Sequence, residues 1–161
     1  MDATTMRSMS SLTHKLKVDH PQLVFFQTEH FSWSPSSKTI SYNPDLPHAK
    51  ELLLHEVSHA RIGHDDYRRD IELIAMETAA WDEAKQLAAA YDVTIDEDII
   101  QDNLDTYRDW LHARSTCPHC SATGYQTKKA AYACPACLEN WTVNEARICA
   151  LRRYKTQKNP Q

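Results

Sequence analysis

Glycine is scarce in this 161-residue chain, which contains only Gly63 and Gly124. The usual glycine content of about 7% would give roughly eleven such residues. A glycine-rich phosphate-binding loop and a GxGxxG dinucleotide fingerprint are therefore excluded. Collagen-like and Gly/Ser-linker architectures are excluded for the same reason.

Long hydrophobic runs and secretory signals are also absent. No apolar run approaches the roughly 18 residues that a membrane span needs, and the N-terminus lacks a basic stretch followed by an apolar region. Four of the five cysteines form CxxC pairs instead of a scattered disulfide framework. We therefore expect a soluble, cytoplasmic protein.

Charge is unevenly distributed along the chain. Residues 1–115 carry 11 basic and 20 acidic side chains, whereas residues 116–161 carry 7 basic and 2 acidic ones. The first segment therefore has a net charge of −9 and the second a net charge of +5. Opposite charges of this kind indicate two modules, and we predict a domain boundary between residues 115 and 116.

The spacing of apolar residues predicts an α+β fold. The predicted helices cover residues 11–20, 48–62, 70–91, 97–114 and 144–154. Short apolar or β-branched runs at 23–27 and 39–43 flank a Ser-Pro-Ser-Ser turn. They predict a β-hairpin with Trp33 and Tyr42 among its strand residues.

The N-terminal segment carries the motif His55-Glu56-Val57-Ser58-His59, in a predicted helix that Gly63 is expected to end. Positions i and i+4 lie on one face of a helix, so the two imidazoles can bind one Zn²⁺ ion. Glu56 lies beside the metal, where a general base can take a proton from zinc-bound water. The motif therefore predicts a catalytic zinc site with Glu56 as the base.

A catalytic zinc ion usually has three protein ligands, so one more is expected downstream of the motif. We favour Glu77, which lies in the next predicted helix on a face with small residues that allow close helix packing. His64 and Asp65 remain alternatives because they follow Gly63 directly.

The stretch LLLHEVSHARIGH, followed by METAAWDEAKQLA, resembles the gluzincin-type peptidases of the ImmA/IrrE kind. The resemblance covers about residues 40–91. It implies a minimal zincin-like domain over residues 1–115, with a small β-hairpin or sheet, the HExxH helix and the helices that follow. It also implies an endopeptidase, often with regulatory proteins as targets, in which His55, His59 and Glu77 bind zinc and Glu56 is the base.

The second motif pairs Cys117-Pro-His-Cys120 with Cys134-Pro-Ala-Cys137. Two such knuckles form a closed tetrahedral Cys₄ site that holds a structural zinc ion. We therefore predict two zinc ions per chain, one catalytic and one structural, and a zinc ribbon with a basic tail over residues 116–161. Gly124 is expected at the bend of a small hairpin in this ribbon.

The leading hypothesis is a zinc-dependent endopeptidase whose ribbon recruits a protein or peptide substrate or a partner. SprT-like proteases, which act on DNA-bound proteins, are similar in architecture because they also join an HExxH domain to a C-terminal zinc ribbon. Basic and aromatic residues of the ribbon favour nucleic-acid or protein contact. The alternative is a zinc-stabilised adaptor or nucleic-acid-binding protein with a non-catalytic HExxH helix; neither hypothesis involves a membrane.

Overall fold

The computed structural model of the chain describes residues 3–147 and 149–156. These residues form four α-helices, a 3-10 turn and two β-sheets, which confirms the predicted α+β class. They divide into two compact units. The first contains the described residues up to Asp65 and Met76–Gln101, and the second contains Asp66–Ala75 and the described residues from Asp102 onward. The division predicted after residue 115 stays a prediction.

The helices are α1 (Ala3–Asp19), α2 (Ala49–Ile62), α3 (Asp70–Ala88) and α4 (Glu97–Ser115), and a 3-10 turn at Ala89–Tyr91 follows α3. The strands are β1 (Val24–Gln27), β2 (Ser32–Ser34), β3 (Thr39–Tyr42), β4 (Tyr125–Lys128), β5 (Ala131–Ala133), β6 (Asn140–Val143) and β7 (Arg153–Lys155). Helices are therefore present at four of the five predicted positions, and the last three residues of the predicted helix 70–91 form the 3-10 turn.

The first unit contains a three-stranded sheet with β3 in the centre. The hairpin forms between β2 and β3, whereas β1 runs parallel to β3. The prediction that β1 and β3 are hairpin partners was therefore wrong. Ile40 explains the arrangement, because it is fully buried and lies in register with both Phe25 and Trp33.

Helix α2 packs against β2, β3 and α1. Its apolar stripe consists of Leu53, Leu54 and Val57, which are completely buried. Helix α1 begins at Ala3, well before the predicted start at residue 11. Its buried stripe is already present at Met9 and continues through Leu12 and Leu16, so the apolar face of the helix begins before the predicted start.

The second unit contains an antiparallel sheet in the order β4-β5-β6-β7. Tyr132 and Trp141 form the centre of its core, with their rings stacked at 5.7 Å between centroids. The indole N–H of Trp141 donates to the carbonyl oxygen of Arg114 at 3.0 Å. A buried aromatic pair therefore anchors the sheet to the end of α4.

The predicted helix over residues 144–154 is wrong, because among its described residues 144–147 and 149–152 are loop and 153–154 belong to β7. The side chain of Asn144 accepts a hydrogen bond from the backbone N–H of Arg152 and donates one to the carbonyl oxygen of Ala150. Ala146 has a left-handed backbone with φ of 56°. Side-chain-to-backbone bonds of this kind compete with helix formation. Residue 148 and the residues from 157 onward, which include the end of the predicted basic tail, lie outside the described residues.

A buried polar network ties the parts of the second unit together. The carboxylate of Asp70 is 1% exposed and accepts hydrogen bonds from Arg114 Nε at 2.6 Å and from the Tyr132 hydroxyl at 2.5 Å. The Gln126 side chain accepts from the Asp70 backbone N–H and donates to the Asp70 carboxylate. The guanidinium of Arg114 lies over the Trp110 ring.

Candidate metal centre

Helix α2 places both motif histidines on its buried side. His55 is 2% exposed and His59 is 7% exposed. The helix ends as predicted at Gly63, whose φ of 80° lies in the left-handed region and whose N–H donates to the carbonyl oxygen of His59 at 3.0 Å. The i, i+4 spacing thus brings the two imidazoles to one point inside the first unit.

Helix α3 brings Glu77 to the same point. Its Oε2 atom lies 3.0 Å from Nε2 of His55 and 3.4 Å from Nε2 of His59, and the two nitrogens are 3.1 Å apart. The neighbouring residues Ala80 and Ala84 on α3 are completely buried, as expected where small side chains allow close packing. Three potential ligand atoms therefore converge from two helices.

The spacing of these atoms fits a zinc ion. Ligand atoms at about 2.0–2.1 Å from zinc in tetrahedral geometry lie about 3.3–3.4 Å apart. The observed separations among His55, His59 and Glu77 are 3.0 to 3.4 Å. A group of two imidazoles and one carboxylate also matches the donor set of catalytic zinc sites. These three side chains could hold a metal ion, and their role as ligands stays a prediction.

The pKa shifts of His55 and Glu77 favour the forms of these two side chains that bind a cation. Burial lowers the pKa of His55, against the opposing effect of its hydrogen bond with Glu77. Burial alone would raise the pKa of Glu77, but its hydrogen bonds with His55 and His59 bring that pKa well below its ordinary value. Near neutral pH, Glu77 is therefore a carboxylate and His55 a neutral imidazole, which are the metal-binding forms.

The rings of the two histidines have different outer neighbours. The ring of His55 stacks on Trp81 at 4.3 Å between centroids, and its Nδ1 atom has no hydrogen-bond partner among the described residues. Nδ1 of His59 instead lies 2.8 Å from Nδ1 of His64. Burial lowers the pKa of His64, and the nearby His59 adds to this effect.

The two alternative third ligands, His64 and Asp65, are not part of the converging group. His64 approaches His59 from the outer side of its ring, and Asp65 is exposed at the surface. Glu56 lies one residue from His55 on α2 and is partly buried. The contacts of Trp81 with His55 and of His64 with His59 were not predicted from the sequence. The i, i+4 relation between Glu77 and Trp81 could have indicated the Trp81 contact.

In the second unit, the four predicted cysteines form another group that could hold a metal ion. The Sγ atoms of Cys117 and Cys137 lie 3.6 Å apart, those of Cys120 and Cys134 lie 3.5 Å apart, and all four lie within 4.8 Å of one another. Zinc–sulfur bonds of about 2.3 Å imply tetrahedral separations of about 3.8 Å. The four sulfurs therefore fit a Cys₄ zinc site.

Backbone N–H groups of the knuckles point to two of the four sulfurs. The N–H of His119 points to Sγ of Cys117, and the N–H of Cys137 points to Sγ of Cys134. Backbone hydrogen bonds, chiefly from Cys137, lower the pKa of Cys134 to about 7. Because the thiolate is the metal-binding form of cysteine, these bonds favour metal binding by Cys134 at neutral pH. Against a backbone hydrogen bond from Glu139, burial and the neighbouring sulfurs raise the pKa of Cys137 to about 12.

Gly124 has a different role from the predicted one. It precedes β4, and the hairpin bend lies instead at residues 129–130, where Ala130 has φ of 58°. A Cβ atom on Gly124 would overlap the Trp141 ring and lie 2.8 Å from the carbonyl oxygen of Ala133. Close packing therefore requires this glycine.

Comparisons with protein-family models, with curated proteins and with solved structures give no match for this chain. Among the described residues, no helix has both the length and the apolar character needed to cross a membrane. Any functional conclusion therefore depends on the geometry of the two side-chain groups.

Proposed function

We propose that this protein is a zinc-dependent endopeptidase with a minimal zincin-like first domain and a zinc ribbon. One observation carries the proposal: one ligand atom from each of His55, His59 and Glu77 converges on a single point inside the first unit, at separations that suit a metal ion. Glu56 adds the second element that peptide hydrolysis needs, since it follows a ligand residue directly on the same helix.

In this proposal His55, His59 and Glu77 hold the ion. When bound, zinc supplies Lewis acidity, which lowers the pKa of water and polarises a substrate carbonyl group. Glu56 accepts one proton from the attacking water as the water oxygen bonds to the carbonyl carbon. Glu56 then gives that proton to the amide nitrogen as the C–N bond breaks, so that one water is consumed and a carboxyl group and an amine are formed.

An edge strand beside the site favours a peptide as the substrate. Strand β2 is an edge of the first sheet and packs on α2. Its Trp33 donates an indole N–H bond to the carbonyl oxygen of His64, at 2.9 Å. An extended peptide can pair its backbone with the free edge of such a strand, which would carry it past the histidine pair.

The test compares the wild-type chain with Glu56→Gln, each loaded with zinc and incubated with a mixture of peptides of diverse sequence. Mass spectrometry should detect cleaved peptides with the wild type alone, while both proteins contain the same amount of zinc. Glu51→Gln is a matched control, because it makes the same change in the first turn of α2. Cleavage by Glu56→Gln at the wild-type rate, or no cleavage by the zinc-loaded wild type, would contradict the proposal.

The ribbon supports a second candidate function, single-stranded nucleic-acid binding, which would also suit a protein with a non-catalytic HExxH helix. Tyr125 on β4 lies opposite Ala133 on β5. Tyr154 on β7 lies opposite Thr142 on β6, which in turn lies opposite Ala131 on β5. Ala131 and Ala133 are two residues apart on β5, so both tyrosines lie on one face of the sheet. They are 58% and 52% exposed.

The same face carries positive charge. Lys128 lies opposite Ala131 and is exposed. The segment from residue 116 to 161 has a formal net charge of +5 with neutral thiols, which becomes +3 when four thiolates hold one Zn²⁺ ion. Exposed aromatic rings with nearby cations are the elements that bind single strands without sequence preference. We therefore infer that this face contacts nucleic acid.

Fluorescence anisotropy with a labelled oligothymidylate tests this second function. Replacing Tyr125 and Tyr154 together by alanine should weaken binding at least tenfold, since stacking contributes about 1–3 kcal/mol per base. Replacing both by phenylalanine keeps the rings and should preserve binding, as should Glu56→Gln. Equal binding by the alanine variant would exclude this face.

A further inference from the structure

Nδ1 of His59, the ring nitrogen that faces away from the proposed metal site, has a neighbour with no role in the proposed peptide hydrolysis. In that function His59 offers the lone pair of Nε2 to the metal, so its single ring proton must lie on Nδ1. That proton needs an acceptor, because His59 is buried and an unpaired buried donor is costly. The atom found there is Nδ1 of His64, at 2.8 Å.

We propose that His64 is a positioning residue, which accepts the Nδ1 proton of His59 and thereby fixes its tautomer and ring orientation for metal binding. This inference rests on the proposed zinc site. His64 itself is not a ligand in this arrangement, because its nitrogen faces the outer side of the His59 ring. Partners of this kind make a ligating imidazole more basic and hold it in place.

The local backbone holds His64 in the position that this role requires. The left-handed conformation of Gly63 turns the chain back at the end of α2. The N–H of His64 then donates to the carbonyl oxygen of His59 at 3.0 Å. The carbonyl oxygen of His64 accepts the indole N–H of Trp33 at 2.9 Å. Both backbone polar groups of His64 are therefore engaged, which limits movement of its ring away from His59.

His55 provides a comparison within the same site. Its ring is held by stacking on Trp81, and its Nδ1 atom has no hydrogen-bond partner in the described part of the chain. The two histidines are thus oriented by different means, one by an aromatic surface and the other by a hydrogen bond. The proposal therefore applies to His59 alone.

The test measures zinc affinity by competition with a chromophoric chelator, using the full chain. His64→Asn keeps an acceptor oxygen near the position of Nδ1, whereas His64→Leu has a similar shape and no acceptor. We expect His64→Leu to bind zinc at this site about 10–100-fold more weakly and His64→Asn to stay within about threefold of the wild type. The double variant His55→Ala/His59→Ala identifies the zinc that the cysteine group alone binds.

A second readout follows the geometry at the metal. With Co²⁺ in place of zinc, the visible absorption bands of the histidine site should change in His64→Leu and be retained in His64→Asn, while the thiolate-to-cobalt bands of the cysteine group stay constant. If His64→Leu does not fold, as judged by circular dichroism, His64→Ala removes the acceptor with less disturbance and carries the same expectation.

Wild-type affinity in the leucine or alanine variant would overturn the proposal, as would equal weakening in the asparagine variant. Failure of the metal site itself has a different signature, because the double histidine variant would then bind as much zinc as the wild type. In that case both proposals are wrong. If only the His64 variants depart from expectation, the proposed peptidase function stands.

Discussion

Replacing Asp70 by asparagine tests the most deeply buried ion pair among the described residues. The side chain of Asp70 is 1% exposed and that of Arg114 is 4% exposed, with Nε and Oδ2 2.6 Å apart. Asparagine has nearly the same shape as aspartate, so the substitution removes charge without creating a cavity. It leaves the guanidinium of Arg114 buried without its counter-ion.

The cost follows from what Arg114 retains. Breaking a buried ion pair by removing one partner costs about 3–5 kcal/mol. Arg114 keeps its hydrogen bonds to the carbonyl oxygens of Asn144 and Glu145 and its contact with the Trp110 ring, which favours the lower end of that range. We therefore expect a loss of about 3 kcal/mol, or roughly a hundredfold in the ratio of folded to unfolded protein.

Urea denaturation of the zinc-loaded full chain, followed by circular dichroism, measures this loss. Asp66→Asn is the matched control, because Asp66 forms an exposed ion pair with Lys129 at 3.0 Å. Exposed pairs contribute little, so this variant should unfold at the wild-type urea concentration. If Asp70→Asn unfolds together with Asp66→Asn, the carboxylate of Asp70 does not stabilise the buried guanidinium and the reasoning is refuted.

Two further predictions concern the second unit. Removing zinc with a strong chelator should abolish the folded circular dichroism signal of residues 116–143, and readdition of zinc should restore it; an unchanged spectrum would show that the cysteine group does not depend on metal. Gly124→Ala should destabilise the chain by about 1–3 kcal/mol, because the new Cβ atom would overlap the ring of Trp141; wild-type stability in urea would contradict the packing described.

Features set by local spacing could be predicted from the sequence. The i, i+4 relation of His55 and His59, the helix end at Gly63 and the two CxxC knuckles each depend on residues within one or two turns of chain. Periodicity also predicted where α2 and α4 begin to within one residue. Tertiary packing reinforces these local preferences, so local reasoning was sufficient.

Features that depend on distant residues could not be predicted. Strand β3 is central because β1 and β2 pair with it on either side of the buried Ile40. The local sequences of β1 and β2 do not indicate that each pairs with β3. The buried ion pair of Asp70 depends on Arg114, which lies 44 residues away along the chain and has no local relation to it. His64 was predicted as an alternative ligand, because the turn after α2 that brings its ring to the outer nitrogen of His59 cannot be derived from the sequence.

The positions of the four tryptophans have an optical consequence. In the first unit Trp81 stacks on His55 and Trp33 is hydrogen-bonded to the carbonyl oxygen of His64. In the second unit Trp141 lies in the buried core, and the guanidinium of Arg114 lies over the Trp110 ring. Indole emission depends on such neighbours. Variants that keep one tryptophan would therefore give each side-chain group its own fluorescent reporter, so that metal loading and unfolding could be followed separately without an attached dye.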